Sequence, residues 1–322
     1  MNYFDDAIVR IFEEKNNLKT GGTLYRIPAD KDKKFNFDYV LFVPKGIKSN
    51  TSLILTGPNY SAGVTINPEE KIEYMYENYK SFRAPIHYIN QNTCFPILYP
   101  LIPRYFDEKL NEEIYTNMLS SNCFENIDNQ YKRIDLQVIN MLNDAKKRLK
   151  HNNIIVDDKI IIEGFSASAK FGNRFTLLHP EIVKLCICGG VGGFLTLPMK
   201  QYRYPVGIKD IEYLTPEKLE IFKNIKQFYY QGDSDFIDAF KSTEENNFEP
   251  YFKGVITEEE LKQLYEVTAR DLNKRWNKTQ KIYNDLCNNT IFKTYKDTAH
   301  EYTKEIIEDI KEILEKEIEI SN

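Results

Sequence analysis

Five residues, Gly164-Phe165-Ser166-Ala167-Ser168, carry the strongest chemical signal in the chain. They follow a short apolar run, Ile160-Ile161-Ile162, and precede a helical pattern in which Phe171, Phe175 and Leu178 recur at three- and four-residue spacing. A strand, a tight turn with serine at its apex and a helix form a nucleophile elbow. Crowding at such a turn demands small residues two before and two after the serine, here Gly164 and Ser168. Ser166 then lifts its hydroxyl above the sheet, at the positive end of the next helix. A second frame takes Ser168 as the nucleophile, flanked by Ser166 and Lys170, and puts a lysine into the tight turn. A third reading is an ordinary strand-to-helix turn capped by serines.

A serine hydroxyl is a poor nucleophile near neutral pH, so it needs a base, and the base needs an orienting carboxylate. The chain has four histidines. His300 falls in a loop between the last expected strand and the last expected helix. His179 precedes Pro180 at the end of the elbow helix, in the position of a C-terminal cap. His87 and His151 fall in polar connections and are expected to be solvated. His300 is therefore the candidate base. Asp235 follows the strand that ends near Tyr230 and is the candidate acid, with Asp233 and Asp238 as rivals in the same turn. The order Ser166, Asp235, His300 puts each residue just past the C-terminal end of a strand, the edge at which sites form in open α/β sheets.

The elements that must position these residues alternate. Leu24 to Ile27, Phe35 to Val43, Ser52 to Leu55, Phe95 to Leu101, Val183 to Cys188, Ile225 to Tyr230 and Thr290 to Tyr295 read as strands. Helices are expected from Asn67-Pro68-Glu69-Glu70 to Tyr79, from Tyr131 to Leu149, and from Thr303 to Ile318. Thr257-x-x-Glu260 is a capping box that opens a helical region running to Leu286. Residues 3–15 give a weak helical pattern. The glycine cluster Gly189 to Gly193 lacks a phosphate-loop lysine and reads as a flexible strand exit. The expected architecture is one α/β domain over residues 1–322, with a mostly parallel central sheet and helices on both faces. Residues 194–225 are expected to form a small cap insert, and 242–288 a helical insert before the last strand.

Composition narrows the function. The chain has 322 residues, 42% of them hydrophobic, and a net charge of −5, with no basic run that would suit nucleic acid. The N-terminus is acidic and has no signal-peptide pattern, and no apolar run approaches the ~20 residues that span a bilayer. Five cysteines show no zinc or redox spacing, and Cys186 and Cys188 alternate within an apolar run as buried strand thiols. A reducing, cytoplasmic setting is expected, with no metal or organic cofactor.

The Ser-acid-His order and the GFSAS elbow resemble the α/β-hydrolase superfamily. The run GFSASAKFGNRFTLLHPEIVKLCICGGVGG is similar to intracellular members of its esterase and polyhydroxyalkanoate-depolymerase-like branch, as are the segments YPVGIKDIEYLTP, YQGDSD and RWNKTQKIY. The resemblance spans residues 36–318 and is strongest from 160 onward. The elbow departs from it in lacking the last glycine, and the loop TGPNYSAG lacks the HGGG form. The resemblance implies an α/β-hydrolase fold and a serine esterase that works through an acyl-enzyme. It also implies an oxyanion hole from the backbone N–H of Ala167 and of Asn59 or Tyr60. Tyr202 and Tyr204, with Tyr60, are candidate substrate walls, in a chain whose 22 tyrosines and 20 phenylalanines also serve ordinary packing. The expected partner is a small-molecule or lipid-like ester; self-association into a homo-oligomer is compatible with the sequence. A peptidase or amidase with the same triad, and a non-catalytic binding protein that keeps the fold, are the competing readings.

The two serine frames separate in one experiment. Ser166→Ala is expected to abolish labelling by a fluorophosphonate probe while the chain stays folded. Loss of labelling in Ser168→Ala but not in Ser166→Ala would reject the frame.

Overall fold

The computed structural model describes residues 7–12, 21–48, 50–59, 67–80, 85–108, 112–124, 130–252 and 254–320. Its sheet strands are β1 (Ile8–Phe12), β2 (Gly22–Ile27), β3 (Tyr39–Pro44), β4 (Ile54–Thr56), β5 (Ile97–Pro100), β6 (Ile160–Phe165), β7 (Val183–Gly189), β8 (Lys226–Gly232) and β9 (Thr290–Tyr295). The longer helices are α1 (Pro68–Lys80), α2 (Ile134–His151), α3 (Ala167–Leu178), α4 (Pro216–Asn224), α5 (Glu258–Val267), α6 (Leu272–Leu286) and α7 (Lys304–Ile320). By contact density the chain divides into two compact units. One holds Met1–Pro103, Arg133–Glu163 and Tyr302–Asn322; the other holds Arg104–Lys132 and Gly164–Glu301.

In the first unit β1, β2, β3 and β5 pair antiparallel in that order, and β4 pairs parallel with both β5 and β6. Ile54, Leu55, Ile97, Leu98 and Ile160 to Ile162 are fully buried, as expected of parallel strands covered on both faces. Helix α2 buries Ile134, Val138, Met141, Leu142, Ala145 and Leu149 along one stripe. A polar clasp ties it to β3. The Tyr39 hydroxyl donates to Asp144 at 2.7 Å, and Arg148 and Lys33 pair with the same carboxylate at 2.7 and 3.0 Å. At the start of α1 the Asn67 side chain accepts from the Glu69 N–H at 2.9 Å, the capping role its sequence announces.

Two sequence expectations change in this unit. The described part of the 3–15 segment, Ile8–Phe12, is a strand paired antiparallel with β2 from Ile8↔Arg26 to Phe12↔Gly22. Five residues rich in β-branched and aromatic side chains find a waiting edge, and that pairing overrides a weak helical period. His87 is buried rather than solvated. It lies in the short helix Pro85–Ile89 with its ring against Phe42 and Tyr79 at 5.2 and 5.0 Å, and burial pulls its imidazole down to about 3.

The second unit carries the parallel set β7-β8-β9. Helix α3 is buried along its whole length, from Ala167 to Leu178. Cys186 and Cys188 are buried on β7, their sulfurs 3.6 Å apart. The capping box at Thr257 is formed in both directions, Glu260 N–H to Thr257 Oγ1 at 3.2 Å and Thr257 N–H to Glu260 Oε2 at 2.9 Å. The helical region after it is broken into α5 and α6 at residues 268–271, where Asp271 caps α6 through the Lys274 N–H. Within 194–225 the sequence reading missed α4, although Thr215-Pro216-Glu217 is a helix opening with a cap, a first-turn proline and an acid. Among the described residues no helix is long and apolar enough to cross a membrane.

Glu163 on β6 is 2% exposed, and its carboxylate accepts from the Tyr302 hydroxyl at 2.7 Å. Burial outweighs that hydrogen bond and raises its pKa from 4.5 to about 7. A folded-state pKa above the unfolded one means that the native chain holds the extra proton. Stability therefore falls as pH rises from about 4.5 to 7, by a few kcal/mol (roughly 1.4 per unit), and the loss is complete above 7. Glu163→Gln is expected to flatten this part of the stability–pH curve and to be more stable than wild type at pH 8, as read by urea midpoints. A variant curve that still falls between pH 5 and 7 as steeply as wild type would contradict the assignment.

Candidate active site

Strand β6 ends at Phe165, and Ser166 takes φ 62° and ψ −119°, a left-handed conformation that L-residues avoid. Such a residue costs on the order of 1–3 kcal/mol and persists only where its surroundings fix it. Here they do. The Ser166 N–H donates to the Gly189 carbonyl at 2.9 Å, and the Ser166 carbonyl accepts from the Lys170 N–H at 3.2 Å as α3 begins. Gly164 lies so close to the helix that a Cβ on it would meet the Ser168 carbonyl oxygen at 2.5 Å.

The serine that replaces the last glycine of the elbow has a structural use. Ser168 Oγ accepts from the Phe165 N–H and donates to the Phe165 carbonyl, both at 2.8 Å, and the residue is 4% exposed. Its hydroxyl closes the turn on both sides of the apex. That leaves Ser166, which is half-buried, as the serine whose hydroxyl is uncommitted to the elbow.

Asp235 and His300 are brought together. His300 Nδ1 lies 2.8 Å from Asp235 Oδ2, and Asp235 Oδ1 accepts from the Ile237 N–H at 2.9 Å. The carboxylate is 2% exposed and held at both oxygens. The rival acids are engaged elsewhere. Asp233 is exposed and accepts from the neighbouring Ser234 hydroxyl; Asp238 accepts from the Phe240 N–H at 2.9 Å and pairs with Arg275. The acid turn and the histidine loop are stitched together by Asp233 N–H to the Tyr295 carbonyl and Ser234 N–H to the Thr298 carbonyl, each 3.0 Å.

The imidazole packs on the elbow. Its ring centroid is 4.6 Å from that of Phe165, the residue before Ser166. It also covers Gly190, where a Cβ would come within 2.9 Å of His300 Cε1. Since Gly189 accepts from the Ser166 N–H, Ser166 and His300 meet the same corner of the β7 exit. That exit, expected to be flexible, is hydrogen-bonded by side chains from elsewhere in the unit. Gly193 N–H donates to Gln231 Oε1 at 2.9 Å, Arg275 donates to the Gly192 carbonyl at 3.1 Å, and Thr279 to the Gly193 carbonyl at 3.1 Å. Arg275, Thr279 and Gln231 reach it from distant parts of the sequence, so no local pattern signalled the anchoring.

The remaining expected site residues divide. Ala167 opens α3, where the first N–H groups of a helix have no partner within it and point at the N-terminal end. Asn59 exchanges two hydrogen bonds with Tyr99, its N–H toward the tyrosine oxygen at 3.2 Å and its carbonyl accepting at 2.9 Å. Tyr60 lies outside the described residues. Tyr204 is buried, donates its hydroxyl to the Leu119 carbonyl and packs edge-on against Phe124, the surroundings of a packed aromatic. Tyr202 is half-buried, and its carbonyl accepts from the Lys209 N–H at 2.9 Å. His179 caps α3, as its position before Pro180 suggests. Among the described residues no group of three or more His, Cys, Asp or Glu side chains could hold a metal ion.

Neither a protein-family description nor a curated protein matches this sequence. Solved structures are similar in fold. A poly(3-hydroxybutyrate) depolymerase from Bordetella parapertussis superposes with a TM-score of 0.57 at 14% identity, covering 91% of this chain and 87% of its own. A poly(aspartic acid) hydrolase from Sphingomonas sp. KT-1 superposes with a TM-score of 0.53 at 15% identity, covering 96% and 97%. The chain has the α/β-hydrolase fold.

Exchanging each acid for its amide tests the assignment. Asp235→Asn keeps the shape but favours the wrong imidazole tautomer, and is expected to lower turnover by on the order of 10⁴. Asp233→Asn and Asp238→Asn are expected to cost far less. The kcat of the three variants, measured side by side, would reject the assignment if Asp238→Asn were the damaging one and Asp235→Asn mild.

Proposed function

We propose that this chain of α/β-hydrolase fold is a serine hydrolase that cleaves a carboxylic ester. The observation that carries the reading is the Asp235–His300 pair at 2.8 Å, set against an elbow whose serine is held in a left-handed backbone. In the proposed reaction Ser166 Oγ attacks the ester carbonyl carbon while His300 Nε2 takes the hydroxyl proton. Asp235, bonded to Nδ1, fixes the tautomer and stabilises the imidazolium. The carbonyl π electrons move to oxygen, and the oxyanion accepts from the Ala167 N–H at the positive end of α3. Collapse of the tetrahedral adduct breaks the bond to the alcohol, which leaves with the proton from His300. A water, deprotonated by His300, then attacks the acyl-enzyme; the carboxylic acid leaves, and Ser166 recovers its proton.

Ester rather than amide is preferred because an alkoxide leaves more readily, so fewer groups are required around it than an amine needs. Support for hydrolysis as the class comes from neighbours of the same fold, a poly(3-hydroxybutyrate) depolymerase and a poly(aspartic acid) hydrolase. A cap formed by 194–225 remains part of this proposal.

The test is a series of p-nitrophenyl esters of graded acyl length, run with Ser166→Ala and with fluorophosphonate labelling. Wild type is expected to label and to release p-nitrophenol, and Ser166→Ala to do neither. A wild-type chain that is folded yet neither labels nor turns over any ester would reject the proposal in favour of a binding protein.

A further inference from the structure

Lys170 stands one helical turn after Ser166 on α3, its N–H bonded to the Ser166 carbonyl at 3.2 Å. The residue is only 6% exposed. Side chains on a helix lean toward its N-terminus, which for Lys170 is the turn that begins at Ser166. Its ammonium lies 5.5 Å from the centre of the Phe240 ring, and Arg275 lies 5.8 Å from the same ring.

The surrounding charges do not balance. Arg174 is spent on the Met118 and Leu119 carbonyls. Arg275 is spent on Gly192, Ala269, Arg270 and Asp238. Asp238 is taken by Arg275 and the Phe240 N–H, and Asp235 by His300 and the Ile237 N–H. Three cations, Lys170, Arg174 and Arg275, therefore face two carboxylates that are already engaged. Among the described residues the Lys170 ammonium has neither a hydrogen bond nor an ion pair, only the ring of Phe240. A buried ammonium left this way is costly, and a ligand that supplies the missing negative charge removes the cost. Desolvation, with Arg174 next in effect, pulls the Lys170 pKa from 10.5 down to about 8, against the weaker pull of Asp238 and Asp235.

We propose that Lys170 binds a free carboxylate of the substrate, so that the preferred ester carries an acid group within reach of the scissile bond. This rests on the serine-hydrolase reading above and adds the substrate class to it. Monoesters of dicarboxylic acids and hydroxy acids acylated on their hydroxyl have this chemistry.

The experiment compares acid-bearing with neutral esters in the full chain. One set is the mono-p-nitrophenyl esters of succinate, glutarate and adipate, which carry the acid in the acyl part. Another is 4-acetoxybenzoate, which carries it in the alcohol. The neutral partners are p-nitrophenyl butyrate, p-nitrophenyl valerate, p-nitrophenyl hexanoate and phenyl acetate. Wild type is expected to favour at least one acid-bearing ester over its neutral partner. In Lys170→Met that ratio of kcat/KM is expected to fall on the order of tenfold to a hundredfold, with Lys170→Arg retaining part of it. The wild-type preference should fade as pH rises through about 8, because the ammonium deprotonates there. A measurement without any variant uses the free diacids. They should protect Ser166 from fluorophosphonate labelling below pH 8 and lose that effect above it. A wild-type chain that hydrolyses neutral esters with no preference for acid-bearing ones, and no protection by diacids, would overturn the carboxylate site while keeping the serine hydrolase. Absence of both labelling and turnover would overturn the two together.

Discussion

The site depends on one strained residue. Ser166 is held at φ 62°, and an L-residue stays there only if every alternative is blocked. Three sets of hydrogen bonds block them: the one from its N–H to the Gly189 carbonyl, the one to its carbonyl from the Lys170 N–H, and the pair in which Ser168 Oγ accepts from the Phe165 N–H and donates to the Phe165 carbonyl. The strain sets the direction of the hydroxyl. A relaxed turn would leave the serine as an ordinary helix cap, with its oxygen turned to the backbone N–H groups of the first turn. Held as it is, its side chain makes no capping bond to α3. The N-terminal dipole is thus left for whatever charge develops beside it.

Around the elbow, the partners of the acidic side chains tell them apart. Three aspartates share one turn after β8, and sequence distance does not separate them. Their partners do. Asp233 faces solvent, Asp238 is committed to Arg275, and Asp235 is buried with a backbone N–H on one oxygen and the imidazole on the other. A carboxylate satisfied at both oxygens has one low-energy orientation, which is what an imidazole needs to keep its tautomer. The glycine-rich exit of β7 is likewise anchored: the Gly192 and Gly193 carbonyls accept from Arg275 and Thr279, and the Gly193 N–H donates to Gln231.

The sequence determined whatever depends on neighbours along the chain. The strand-turn-helix of the elbow, the capping box at Thr257 and the capping asparagine at Asn67 all rest on residues within a few positions of one another, and all are present as read. The positions of Ser166, Asp235 and His300, just past the ends of β6, β8 and β9, were legible too, because a parallel sheet places every strand exit on one edge. What needed the tertiary structure was anything decided by partners far away. Ile8–Phe12 became a strand because β2 offered an edge, and His87 was buried because Phe42 and Tyr79 packed on it. Gly189 to Gly193 was pinned by side chains about 40 to 90 positions on. In the sequence Lys170 enters only as a flank of the second serine frame. Only its burial beside Arg174 and Arg275, with both nearby carboxylates already taken, makes its charge unusual. Local backbone preferences are written in short stretches of sequence, whereas burial and charge balance are sums over the whole packed neighbourhood, and only the folded chain performs that sum.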